Sequence, residues 1–191
     1  MGFFDAIMGR SRPAPPRLDA LFSIPSAALT LESSLGLRPT GLGSVCYRAA
    51  DGAAFAEISQ EIDTLIESGA DAPDVSTSVD GYGYTWLTVR GEASDLSSLC
   101  TNLHVVNSTL EAQGFGYGLL CTMVPFEGHD GRRVGLVYLY KQGTFYPFAP
   151  MRGEQKRDNV LELQVRDQLV GELSMEKDLQ RWLALWNAPG L

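Results

Sequence analysis

A chain of 191 residues with 45% hydrophobic and 20% charged side chains has apolar surface enough to bury a core and charge enough to stay dissolved. Its net charge of -8 excludes a nucleic-acid backbone as the main target, because that target needs a basic face able to displace counterions. No apolar run approaches the roughly 20 residues that span a bilayer, and the start lacks the long apolar stretch of a secretory signal, so the expected location is the cytoplasm.

Residues 1–17 carry Phe3, Phe4, Ile7 and Met8, then Arg10 and Arg12, then a linker with Pro13, Pro15 and Pro16 that cannot continue a helix. They are expected to form an amphipathic arm ahead of a single domain over residues 18–191. The arm has two readings. One is a segment packed on the body or left disordered; the other is a short docking helix for an interface, carried by Phe3, Phe4 and Ile7. Ala6 stands where a myristoylation signal wants Ser or Thr.

The apolar positions Leu18, Leu21 and Phe22, then Ala28, Leu31 and Leu35, predict two helical pieces broken at Pro25, the second capped by Ser26 and ended by Gly36. Residues 43–49 read as a strand. Residues 53–67 read as an amphipathic helix with Phe55, Ile58, Ile62, Leu65 and Ile66 on one side and Glu57, Glu61 and Asp63 largely on the other, before Gly69 and Pro73 break the chain. Residues 75–79 and 84–90 pair across Asp80-Gly81 as a hairpin. The clearest helix begins at Ser94 or Asp95, where Leu96, Leu99, Cys100, Leu103, Val106 and Leu110 recur at three- and four-residue steps until Gly114. A second hairpin, 118–127 with 133–140, turns on Gly128, His129, Asp130 and Gly131.

Further on, Asp158 is placed to cap a helix to residue 170, and Ser174 another to residue 186 with Leu179, Trp182, Leu183 and Trp186 on one face. Two αββ units in series predict an α+β fold, an antiparallel sheet with helices packed on one face. By element order alone it is similar in outline to the type III secretion chaperone or YbjN-like arrangement.

Catalytic chemistry finds little purchase. A nucleophile needs an adjacent base, and the two histidines read as structural, His104 on a helix and His129 in a turn. Cys46, Cys100 and Cys121 are odd in number, widely spaced and set among apolar residues, the pattern of reduced core thiols. No clustered Cys or His spacing calls for a metal, no phosphate-cradling glycine loop is complete, and no cofactor is expected. Arg152, Lys156 and Arg157, interleaved with Glu154 and Asp158, read as a solvated loop or as a contact for an acidic partner.

The densest feature is residues 137–150, which hold five of the fifteen Phe and Tyr residues and so mark the first place to look for an interaction surface. Tyr138 and Tyr140 alternate with Val137 and Leu139, and Lys141, Phe145, Tyr146 and Phe148 follow. Either Trp182 and Trp186 cover the tyrosines in a second small core, or the six residues Tyr138, Tyr140, Lys141, Phe145, Tyr146 and Phe148 line an aromatic groove for a partner segment, with Lys141 orienting an acidic or backbone group.

That stretch, with Gly-Phe-Phe-Asp-Ala-Ile-Met-Gly-Arg-Ser at 2–11, Arg-Pro-Thr-Gly-Leu-Gly-Ser-Val-Cys at 38–46, Asn-Ser-Thr-Leu-Glu at 107–111 and Trp-Asn-Ala-Pro-Gly-Leu at 186–191, resembles the bacterial PspA-associated proteins called PspAB. The likeness runs over nearly the whole chain and carries no catalytic signature. It implies a non-enzymatic companion of PspA, the membrane-remodelling coiled-coil protein of envelope stress. Such a companion would act by contact with PspA or another component of its system, with peripheral membrane contact through the arm. The rival expectation is an enzyme or small-molecule sensor whose site assembles from distant residues, marked by a deep pocket holding a shifted Cys or His.

Overall fold

The computed structural model describes residues 17–49, 60–62, 64 and 73–191. The arm residues Phe3, Phe4 and Ile7 and most of the predicted helix over 53–67 lie outside them. A 3-10 stretch at Leu18–Ser23 runs straight into α1 (Ile24–Leu35). Pro25 sits in the first turn of α1, where its missing N–H has no helical partner to lose, so it opens this helix instead of breaking it, and Ser26 lies inside the helix and not at its cap. Gly36 closes α1 in the left-handed conformation, φ 66°, donating its N–H to the Glu32 carbonyl at 3.1 Å.

Two later helices start on the aspartates that the sequence marks. Asp95 accepts from the Ser98 N–H at 3.0 Å at the head of α2 (Leu96–Ala112), and Asp158 accepts from the Leu161 N–H at 3.0 Å at the head of α3 (Asn159–Leu169).

Seven strands among the described residues form one sheet: β1 (Leu37–Pro39), β2 (Leu42–Tyr47), β3 (Asp74–Val79), β4 (Thr85–Arg90), β5 (Leu119–Gly128), β6 (Arg133–Leu139) and β7 (Thr144–Phe148). Every named pairing is antiparallel, in the order β3-β4-β2-β5-β6-β7, with β1 on the far half of β5. The α+β class and both expected hairpins are therefore present. What local pattern did not reveal is that β2 inserts between the hairpins, and that residues 144–148 turn back as β7.

The sheet divides the interior in two. On one face Leu21, Ile24 and Leu31, with Leu99, Leu103 and Val106 of α2 and Leu161, Val165 and Leu169 of α3, cover Val45, Leu87, Val89, Val124, Phe126, Leu136 and Tyr138. On the other face Cys46, Trp86, Cys121, Met123, Val137, Leu139, Tyr146 and Phe148 are covered by Trp182 and Ala188, and among the described residues no α-helix lies above them.

The helix expected from Ser174 to residue 186 does not form. Its backbone is taken by tertiary partners: the Ser174 carbonyl accepts from the Phe145 N–H at 2.8 Å, and the Glu176 N–H donates to the Phe145 carbonyl at 2.7 Å, holding this chain extended along β7. Only one 3-10 turn, Leu179–Arg181, survives. Tyr146 then donates its hydroxyl to the Leu183 carbonyl and Arg157 its Nη1 to the Trp182 carbonyl, fixing an irregular strap over the second face.

Candidate functional site

The aromatic stretch is split between the two faces by strand alternation. Tyr138, Tyr140 and Phe145 point into the helix-covered core, with the Tyr138 and Phe145 rings 4.9 Å apart, the Tyr138 hydroxyl donating to the Arg17 carbonyl at 2.7 Å and the Tyr140 hydroxyl donating to Glu111. Tyr146 and Phe148 point the other way, against Trp182 at 6.1 Å and Trp186 at 5.1 Å between ring centroids. All five aromatics are buried and Lys141, in the β6–β7 turn, is exposed. The tryptophans do cover a second core, but over Tyr146 and Phe148 and not over Tyr138 and Tyr140.

Beside that second core the strap leaves a groove of about 380 Å³, lined by apolar and aromatic groups with few polar ones. Its floor is a single transverse row across four strands, because Trp86 pairs with Cys46, Cys46 with Cys121, and Cys121 with Leu139. One wall is the β3–β4 turn with Tyr82 and Tyr84; the other is the strap at residues 183–186. Lys141 and Tyr146 also line it, so of the six stretch residues two reach the groove and four serve the strands and cores around it.

Two local devices shape the groove, and neither is visible as a motif. Register shifts where Cys46 pairs with Cys121 but Tyr47 pairs with Leu119, leaving Leu120 as an extra residue in β5. Such a bulge re-aims a side chain; here Leu119 packs in the helix-covered core and its neighbour Leu120 lines the groove. The second device is Asp80. Its carboxylate accepts from the Tyr82 and Tyr84 N–H groups at 2.9 and 3.0 Å and from the Trp86 indole Nε1 at 3.1 Å, tying the turn to the floor. Desolvation works to raise the Asp80 carboxyl, but hydrogen bonds from the Trp86 side chain and from the turn amides outweigh it and hold the group below its ordinary value.

The groove does hold a shifted cysteine. A hydrogen bond with Cys121, then burial, pushes the Cys46 thiol far up, away from the thiolate that a nucleophile or metal ligand needs. Cys100, in the other core, is pushed up to about 12 by burial, and all three cysteines are free and buried. His104 is half-buried on α2 with its ring 5.0 Å from Phe22, and His129 is exposed in the β5–β6 turn. Among the described residues no cluster of three or more Cys, His, Asp or Glu is arranged to hold a metal ion, and no helix is long and apolar enough to cross a membrane.

Arg157, which the sequence placed in a solvated loop, is a pin. It holds buried Glu162 at 2.8 Å, lies 5.1 Å over the Phe148 ring and reaches the Trp182 carbonyl. Arg152 and Lys156 are exposed as expected.

A family model, PspAB, described as PspA associated protein B, matches residues 1–190. No match to the chain is found among curated proteins or among solved structures, so the likeness in outline to the secretion chaperones stays one of element order.

Proposed function

Since the chain belongs to the PspA associated protein B family, we propose that it is a non-enzymatic accessory protein of the PspA system whose groove takes an apolar helical segment of PspA. The observation that carries this reading is the exposure of large apolar groups around one cleft: Tyr82 at 76% and Leu183 at 59%, beside half-buried Trp186. Aromatic side chains of this kind supply contact area at low entropic cost. Lys141 stands at the rim to meet an acidic residue of the segment, and the buried aromatics of the stretch hold the strands that shape the site.

The upward shift of Cys46 supports binding over nucleophilic catalysis, because it disfavours the thiolate at one of the two cysteines that line the groove. In the same reading the protein is cytoplasmic and the arm, with Phe3, Phe4 and Ile7, adds peripheral contact at the inner face of the membrane. The direct test is titration of purified PspA against the full chain and against Tyr82→Ala and Lys141→Glu, which alter exposed positions only. Loss of at least about tenfold in affinity for Tyr82→Ala is expected, in line with truncation of an interface hot spot. Unchanged affinity in both variants would remove the groove from the contact. For the arm, a chain starting at Leu18 should lose sedimentation with phosphatidylglycerol vesicles while keeping its affinity for PspA.

A further inference from the structure

We infer that Cys46 and Cys121 form an oxidisable pair, a modification site at which two thiols convert to one disulfide beneath the groove. The two residues are direct cross-strand partners on β2 and β5, and both side chains lie on the same face, in the same cluster and on the same groove floor. Directly opposite residues of an antiparallel pair have Cα atoms about 4.5 or about 5.5 Å apart, depending on which kind of pair they form. A disulfide accepts roughly 4.4 to 6.8 Å. Either pairing therefore meets the Cα spacing that a disulfide needs.

Burial favours the disulfide over the other fates of a thiol pair. The two groups are 3% and 6% exposed among apolar neighbours, where a neutral disulfide is at home and a dithiolate is not. Cys100 is excluded as a partner, because it sits on α2 within the helix-covered core, across the sheet from both.

The conversion balances with a hydroperoxide as oxidant. One thiol, as thiolate, attacks a peroxide oxygen; the O–O bond breaks, a sulfenic acid forms, and the remaining fragment leaves as an alcohol, or as water from hydrogen peroxide. The second sulfur then attacks the sulfenic sulfur, the S–S bond forms, and hydroxide leaves with the second thiol's proton as water. Two electrons pass from the sulfurs to the peroxide. Because the Cys46 thiol is held protonated, the conversion is slow at neutral pH and accelerates as pH rises.

The pair is tested on the full chain, without a partner, so its outcome is independent of whether PspA occupies the groove. After hydrogen peroxide, the denatured protein should react with one maleimide in place of three, and non-reducing peptide mapping should join the Cys46 and Cys121 peptides with loss of two hydrogens. Intrinsic fluorescence should fall in step, because Trp86 is the cross-strand neighbour of Cys46 and a disulfide quenches an adjacent indole; dithiothreitol should restore it. Cys100→Ala should form the same crosslink and react with no maleimide in place of two, and Cys121→Ser should give no crosslink. Oxidation that yields only sulfinic or sulfonic acids, or a crosslink through Cys100, would overturn the pairing.

Discussion

At the scale of single residues, the side chain that does most for its size is Glu162, 2% exposed and accepting from both Arg157 and the Ala149 N–H. Glu162→Gln leaves a largely buried guanidinium without its counter-charge, and removing one partner of a buried pair costs about 3–5 kcal/mol; urea unfolding at neutral pH should read that loss. Arg157→Lys with Glu162 in place should also lose stability, because one ammonium cannot reach Glu162 and the Trp182 carbonyl in the two directions that the guanidinium does. Acid reads a different pair. At Asp80 and Glu176 desolvation is outweighed, at Asp80 by the Trp86 indole and turn amides and at Glu176 by the Asp178 N–H, the Thr144 hydroxyl and Arg181, so both carboxyls lie below their ordinary values. Each therefore adds stability that is complete above the unfolded carboxylate range of about 4 and is lost as pH falls through the lower folded value. Unfolding free energy should decline from neutral pH toward about pH 3, and Asp80→Asn should flatten part of that slope. The caps at Asp95 and Asp158 were legible because capping is local chemistry. The role of Arg157 was not, since a charged loop residue looks solvated until the fold brings a buried carboxylate to it.

Elements were legible where their stabilising bonds are their own. The spacing of Leu96, Leu99, Leu103 and Val106 marks α2, and the turn residues around Asp80-Gly81 and Gly128 to Gly131 mark both hairpins. Gly36 belongs with these. With φ at 66° and open space around it, Gly36→Ala meets no clash but must adopt the left-handed backbone, and the chain should lose about 1 kcal/mol in chemical denaturation. The strap failed as a helix although Leu179, Trp182, Leu183 and Trp186 have helical spacing, because Phe145, Tyr146 and Arg157 claim its backbone groups from outside. The bulge at Leu120 was equally hidden: one extra residue changes which face a side chain takes but leaves the composition of the strand untouched.

For the whole molecule, the two-faced sheet explains why an aromatic stretch that reads as a surface is mostly interior. Its alternation serves two cores at once, and only the groove edge is left open. Trp182 is the keystone of the second core, buried against Tyr146 with its indole N–H on the Glu176 carbonyl at 3.1 Å. Trp182→Ala should cost about 3–5 kcal/mol, and the variant should bind a hydrophobic dye such as ANS in proportion to the apolar face it uncovers. The insertion of β2 between two hairpins carries a kinetic consequence. Each hairpin closes on neighbours in the chain, whereas β2 must pair with β4 and β5, neither of which follows it directly, and pairing across long separations comes late. During refolding Cys46 should thus stay open to a brief pulse of alkylating reagent after Cys100 is already shielded in the helical core, so that the order in which thiols vanish from reach becomes a clock for the last strand to enter the sheet.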